Sequence, residues 1–455
     1  MEKAALEAMA RMAAQNRGKN KKALVETYGC QANVNDSQRL MGMLLEMGYT
    51  LTSEREEADV ILFNTCAVRD GAEQRVFGNL GALKNIAEKR GTLIGVCGCM
   101  AQQSAVAQRI RTRYRFVDLV FGTHAQGKFP ILLEEALTTK ERVCDISENT
   151  EIAEGVPTYY GGGAKAFVSI MYGCDNFCSY CIVPYVRGRE RSRREEDILA
   201  EICALTQSGV KEIMLLGQNV NSYGNDFGEK DAFSRLLRRV SEVEGLERIR
   251  FMSSHPKDLS FTLLETMAQY SNIPHQLHLP LQSGSNKVLK DMNRRYSRER
   301  YLEIVEYARS LMPDLALTTD IIVGFPTETE EDFLQTCDML ERIRCDSIFS
   351  FIYSPRQGTA AAKMENVSTK EEQAERFKRM LELQNTISLD INRSFVGKVQ
   401  RVLTEGVSKT DAAMLTGRNE ANKIVNFPGS EDLKDKFVDV KITRAQTWVL
   451  QGELI

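Results

Sequence analysis

Short apolar runs alternate with stretches of helical spacing along most of this chain, and the alternation breaks once and restarts. That rhythm confines the fold to α/β architecture, because consecutive parallel strands need a crossover between them. In the first block, residues 23–27, 59–64 and 92–96 read as strands, with helices over 37–47, 72–89 and 101–110. The order predicts a doubly wound parallel sheet over residues 22–147. Residues 148–165 carry Glu148, Glu151 and Glu154 and then Gly161, Gly162 and Gly163, and read as an acidic, glycine-rich linker. The second block has strand patterns at 166–172, 212–217, 248–253, 276–281, 317–323 and 347–353. Helical spacing fills 195–208, 231–243, 258–270, 297–311 and 329–343, and a long charged helix covers 369–389. Six β/α units over residues 166–392 predict a partial (β/α)6 barrel with its chemistry in the loops after the strands. Beyond residue 393 the pattern turns to short β-like runs at 397–403, 413–416, 423–426 and 437–445. These predict a small all-β barrel over 393–455.

A chain of 455 residues exceeds one core, and about three domains is the natural division. No run approaches the ~20 apolar residues of a membrane span, and the N-terminus has no apolar signal core, so a cytoplasmic protein is expected. Eleven cysteines in a reducing compartment point to metal or catalysis rather than disulfides. The net charge of −3 carries no global sign of nucleic acid, so any such binding falls to local basic patches. One patch, Arg11, Arg17, Lys19, Lys21 and Lys22, reads as part of a solvated basic N-terminal tail over residues 1–21. The other, Arg187, Arg189, Arg191, Arg193 and Arg194, fits phosphate contacts.

That second patch begins six residues after a cysteine triplet. Cys174, Cys178 and Cys181 form C-x3-C-x2-C directly after the strand pattern at 166–172. Three thiolates hold three irons of a 4Fe-4S cluster and leave the fourth open to a small molecule. A second set follows the first-block strands: Cys30 the first, Cys66 the second, Cys99 the third. Loops at the carboxyl ends of neighbouring parallel strands share one crevice, so these three can converge across long sequence gaps. Cys97 still lies on its strand, and Cys99, beyond Gly98, is the better third ligand. Cys144, Cys203, Cys337 and Cys345 are isolated and read as buried apolar residues. Structural zinc wants four Cys/His ligands in paired spacing, and neither set has a fourth: His124, His255, His275 and His278 all lie elsewhere. Iron–sulfur chemistry suits both sets better.

A C-x3-C-x2-C loop after the first strand of a β/α barrel resembles the radical S-adenosylmethionine superfamily. Thr27–Gln31, Asn64–Arg69 and Gly98–Gln102 are similar to the three cysteine motifs of the methylthiotransferase N-terminal domain. Gly173–Tyr185 with the following arginines resembles the subgroup acting on N(6)-dimethylallyladenosine in tRNA, the MiaB type. Residues 393–455 are similar to the TRAM domain, which family members use to hold RNA or, in one branch, a ribosomal protein. The resemblance runs from Lys22 to the end. It implies a flavodoxin-like N-terminal domain, two 4Fe-4S clusters and two S-adenosyl-L-methionine molecules. One cofactor methylates a sulfur carried by the N-terminal cluster. The other supplies a 5′-deoxyadenosyl radical that activates carbon 2 of the adenine, where the methylthio group is inserted. It further implies the tRNA anticodon stem-loop as partner, an electron donor such as a flavodoxin-type reductant, a sulfur donor, no membrane, and a monomer.

Gln218 and Asn219 end the second barrel strand where the superfamily often has Gly-Gly-Glu, a departure from that pattern. Ser254, Gln282, Ser283 and Asp320 also stand at strand ends, and as a set they favour a cofactor site. Tyr185, Phe427 and Trp448 offer stacking surfaces for a splayed base, with Tyr185 preferred. Three other readings stay open: modification of N(6)-threonylcarbamoyladenosine, modification of a ribosomal-protein aspartate, and an RNA-binding electron carrier. Two open clusters argue against the last.

Overall fold

The computed structural model describes residues 1–68, 70–149, 151–409 and 411–455, without the side chains of 70–72. Arg69, which closes the second cysteine motif, lies outside the described residues. The chain divides into two units, the first made of 1–162, 171–175 and 181–193, the second of the remainder.

The first unit runs α1 (Lys3–Asn16), β1 (Lys22–Thr27), α2 (Gln31–Glu46), β2 (Thr50–Leu51), β3 (Val60–Thr65), α3 (Asp70–Ala82), α4 (Lys84–Arg90), β4 (Leu93–Gly98), α5 (Ser104–Arg113), β5 (Leu119–Phe121), α6 (Phe129–Thr139) and β6 (Val143–Asp145). Its sheet order is β2-β1-β3-β4-β5-β6, and every pair is parallel. β3 and β4 are buried along their whole length, which is why both are almost unbroken apolar runs. Helices cover both faces. Met9, Met12, Leu40, Leu44, Phe129 and Leu133 pack one side, and Val76, Leu80, Val106 and Ile110 the other.

Two expectations are corrected in this unit. The N-terminal segment is no solvated tail: α1 buries Ala5, Ala8, Met9 and Met12 in the core, and Arg11 pairs with Glu134 of α6 at 2.7 Å. Lys21 and Lys22 are held by Asp59 and Glu57. The described residues of the 148–165 stretch before β7 form no helix or strand, as in a linker, yet the stretch is strapped to α2. Tyr159 N donates to Gln38 O, and the Ala153 carbonyl accepts from Arg39.

In the second unit, β7 (Lys165–Ser169) begins the barrel. The chain then passes back to the first unit for β8 (Met171–Tyr172), α7 (Val183–Arg187) and β9 (Arg191–Ser192). It returns for α8 (Glu195–Gln207), β10 (Glu212–Leu216), α9 (Ala232–Ser241), β11 (Arg248–Phe251), α10 (Phe261–Gln269), β12 (Gln276–His278), α11 (Asn286–Asp291), α12 (Arg298–Leu311), β13 (Ala316–Val323), α13 (Glu330–Ile343), β14 (Ser347–Ile352) and α14 (Lys370–Arg393). The strands form two parallel sheets, β11-β10-β7 and β12-β13-β14. This is the expected partial barrel.

The remaining strands, β15 (Val399–Val407), β16 (Met414–Arg418), β17 (Ile424–Pro428), β18 (Phe437–Ala445) and β19 (Val449–Leu454), close into a small barrel. The parallel pair β17–β19 completes the ring, and Val402, Leu415, Phe427 and Leu450 fill it. This barrel docks on the first residues of the β/α strands. Arg248, wholly buried, lies 2.9 Å from Glu212 and 3.0 Å from Glu420. Arg250 donates to the carbonyls of Asn419 and Glu420, Lys165 pairs with Glu405, and Lys423 lies 2.7 Å from Asp346.

Candidate cluster and cofactor sites

The first unit brings Cys30, Cys66 and Cys99 together at the carboxyl ends of β1, β3 and β4. There β1 lies between β2 and β3, so the sheet order reverses at the crevice. Cys30 caps α2 with an extended backbone, and Cys66 and Cys99 are buried. Two glycines make this approach possible. A Cβ on Gly29 would lie 2.8 Å from the Cβ of Cys66. Gly98 turns the chain at φ +92°, and a Cβ there would meet Asn64 Oδ1 at 2.3 Å. Asn33 and Asn64 lock the strand ends: Asn33 Nδ2 donates to Thr65 O at 3.0 Å, and Asn64 Nδ2 to Asn33 O at 2.8 Å. Cys97 stays on β4 in the core, away from this crevice.

The thiols act on one another. The hydrogen bond from Cys66 pulls Cys30 down to about 5, against burial and with help from the Arg187 charge. The same hydrogen bond, burial and the neighbouring Cys99 push Cys66 upward. Burial also pushes Cys99 up, and Arg187 opposes it. Val68 N donates to Cys66 Sγ at 3.3 Å. Arg187 Nε donates to Cys99 Sγ at 3.2 Å, while its Nη2 meets Asp36 Oδ2 at 2.6 Å. Soft thiolate donors beside a buried cation fit an anionic iron–sulfur group. Among the described residues no three Cys, His, Asp or Glu close on a point as they would around one ion. A four-iron cluster, whose ligands each hold a different iron, asks for wider spacing.

The C-x3-C-x2-C loop is shared by the two units. In the first, β8 and β9 pair at its base, Met171 with Ser192 and Tyr172 with Arg191. Gly173, at φ +79°, lets the arginine run pass close, and Cys174 N donates to Gly188 O at 3.1 Å. In the second, Phe177 adopts φ +46°, and Asn293 Nδ2 donates to the carbonyls of Asn176 and Phe177. Arg294 is buried with Nη1 3.4 Å from Cys178 Sγ, Nη2 3.0 Å from Pro280 O and Nε 3.2 Å from Tyr296 Oη. No carboxylate is within ion-pair distance of it among the described residues, so its charge fits an anionic group at Cys178.

The strand-end residues divide. At β10 and β11, Asn219 donates to Asp258 at 2.7 Å while its Oδ1 has no partner. Ser254 Oγ and His255 Nε2 are likewise buried and unpartnered, and burial pushes the His255 imidazole far down. Gln218 stands just beyond β10, after Gly217. Gln282 sits at φ +69° and bridges to Ile321. Asp320 lies 3.5 Å from His278, and burial pushes its carboxyl up. Orphaned polar atoms of this kind suit a small polar ligand. Ser283 is the exception: its Oγ is taken up by Thr336 of α13 and the Ser285 amide, and it is fully buried.

The arginine patch is also corrected. Arg187 and Arg193 turn inward, paired with the buried carboxylate of Asp36 and the half-buried one of Glu154. Arg191 donates to Asn149 O and Arg187 O. Arg189, Arg194 and Tyr185 are exposed, as is Trp448, whereas Phe427 is core. Arg294 and Asn33 escaped sequence reasoning, and Asn64 entered it only as part of a cysteine motif. The adjacent Arg294 and Arg295 before Tyr296 were the one signal available.

Comparison with known proteins agrees with this layout. Residues 168–340 match the Radical SAM superfamily, 22–122 a family described as "Uncharacterized protein family UPF0004", and 393–455 the TRAM domain. Among solved structures, the radical S-adenosylmethionine methyltransferase TsrM from Kitasatospora setae aligns with a TM-score of 0.56 at 13% identity, covering 75% of this chain and 74% of that one. The cobalamin-dependent radical enzyme OxsB aligns at 0.54 and 14% identity, over 81% and 58%. Both likenesses speak for the fold alone. A tRNA-2-methylthio-N(6)-dimethylallyladenosine synthase from Thermoanaerobacter sp. (strain X514) is 52% identical over 98% of this chain and 95% of its own length. Its counterpart from Clostridium perfringens (strain SM101 / Type A) is 50% identical over 98% and 100%. On half-identity over nearly its whole length, the chain belongs to the tRNA-2-methylthio-N(6)-dimethylallyladenosine synthase family.

Proposed function

We propose that this chain is the radical S-adenosylmethionine enzyme that inserts a methylthio group at carbon 2 of N(6)-dimethylallyladenosine beside the anticodon of tRNA. The observation that carries the reading is the 52% identity over 98% of the chain to a relative named for that reaction, an alignment that runs through both cysteine sets. When bound, two 4Fe-4S clusters and S-adenosyl-L-methionine supply the electron, the radical and the methylated sulfur.

The chain's own residues hold and orient. Cys174, Cys178 and Cys181 would hold one cluster, and Cys30, Cys66 and Cys99 the other. Arg294 and Arg187 place buried positive charge against a thiol of each set. Gln218, Asn219, Ser254 and Gln282 lie beyond strand ends, and Asp320, expected at a strand end, stands instead within β13; in this reading they would grip the cofactor's amino acid and ribose. Arg189 and Tyr185 of the first unit, and Arg194 and the C-terminal barrel of the second, are each offered to the RNA in this reading. The partners in this reading are the anticodon stem-loop, a flavodoxin-type electron donor and a sulfur donor, and the protein acts as a cytoplasmic monomer. No described helix is long and apolar enough to cross a membrane.

Nucleoside mass analysis of tRNA from cells lacking this protein tests the substrate. Loss of the 2-methylthio group from dimethylallyladenosine is expected. Loss from threonylcarbamoyladenosine instead would reassign it.

A further inference from the structure

We infer that the inner face of β14, presented by Phe349 and Phe351, receives the dimethylallyl group of the target adenosine. In the sheet β12-β13-β14, Asp320 is aligned with Phe349 and Ile322 with Phe351, and aligned residues of neighbouring strands share a face. His278 confirms the direction: its ring meets Phe349 edge-on at 5.6 Å, and its Nε2 lies 3.5 Å from Asp320. The opposite side of β14 is served by α14, whose Gln384 and Ser388 donate to the carbonyls of Cys345 and Asp346. The Phe349 face is therefore the barrel interior, next to Asp320 and Gln282.

Phe349 is nonetheless 49% exposed and Phe351 54%. Two half-open phenylalanines on an uncharged edge strand forgo about half of a burial worth roughly 1.5–3 kcal/mol each, and edges are usually blunted with charge. An apolar patch left open beside His278, Asp320 and Gln282 marks an occupant. Resting on the proposed substrate, the occupant is the branched five-carbon alkenyl group, the one wholly apolar part of an RNA that is otherwise base, sugar and phosphate. A threonylcarbamoyl group, with its carboxylate, would be rejected there by desolvation. The competing occupant is the adenine ring of S-adenosylmethionine.

The test uses the full-length, anaerobically reconstituted protein and two synthetic anticodon stem-loops, one with N(6)-dimethylallyladenosine and one with plain adenosine. Affinity is read by fluorescence anisotropy, and S-adenosylmethionine affinity by equilibrium dialysis. The parent prefers the prenylated hairpin by about tenfold or more, since a single apolar group in a fitted pocket is worth that much. F349N/F351N loses most of that preference while its affinity for the plain hairpin and for the cofactor stays within about twofold. F349L, which keeps an apolar wall, retains the preference and shows that shape and apolarity carry it. A double variant that still discriminates overturns the inference, as does one that loses the cofactor but keeps the preference. A parent that does not discriminate overturns the substrate reading itself, and this inference with it.

Discussion

Arg187 joins Asp36 to Cys99: one arm of the guanidinium is 2.6 Å from the Asp36 carboxylate, and its Nε is 3.2 Å from the Cys99 sulfur. All three residues are buried, so the carboxylate fixes a positive charge against a thiol in a low-dielectric site. Arg187→Gln strips Asp36 of its partner, and a drop of about 3–5 kcal/mol in stability is expected. Arg187→Lys restores charge without the fork and recovers only part. Iron content and the reduction potential of the N-terminal centre, against thermal unfolding, separate a tuning role from a purely structural one. A stable Gln variant with unchanged iron and potential would show that Arg187 does neither.

The two cysteine sets are expected to be separable. Reconstituted parent protein carries about eight irons per chain, and removal of either set by alanine leaves about four. Only loss of Cys174, Cys178 and Cys181 abolishes 5′-deoxyadenosine formation. Loss of Cys30, Cys66 and Cys99 spares it and stops sulfur transfer. Equal loss of cleavage in both would refute this division.

The ionic dock of the C-terminal barrel is fragile to single changes. Glu212 faces Arg248, Arg250 and Lys165, and their charges hold its carboxyl below the usual range despite burial. Arg248→Met leaves Glu212 and Glu420 short of a partner and is expected to cost about 3–5 kcal/mol. Limited proteolysis should then release a fragment near residues 393–455 that the parent protects.

Glu328, in the turn after β13, has its carboxyl pushed up to about 7 by burial, against the Gly324 amide and the Arg376 charge. A raised folded value means that its contribution to stability is complete below the ordinary carboxylate range and is lost as pH rises through about 7. Glu328→Gln mimics the protonated form. Melting curves between about pH 5 and pH 8 should fall less steeply for the variant than for the parent.

Most strands were legible because buried parallel strands are short apolar runs, and those at 212–216 and 347–352 lie within a residue of their expected bounds. So was the convergence of Cys30, Cys66 and Cys99, because it follows from topology alone. What escaped depends on partners distant in sequence. Ala5, Ala8, Met9 and Met12 have helical spacing, but the basic residues around 11–22 drew attention from it. Arg187 and Arg193 look like phosphate ligands until Asp36 and Glu154 are seen to meet them. Ser283 stands at a strand end yet turns beneath α13. β19 escaped because it pairs in parallel with β17, across β18 in sequence.

The C-terminal barrel is anchored to the first residues of the β/α strands, while Gln218, Asn219 and Ser254, proposed for the cofactor, lie beyond the last residues of β10 and β11. The five residues of β10 measure about 13 Å from end to end. An RNA gripped by that barrel and reacting at the strand ends must span at least this length. In the proposed function the two grips thus stand a fixed distance apart, so that a stem-loop would reach both and a free nucleoside only one.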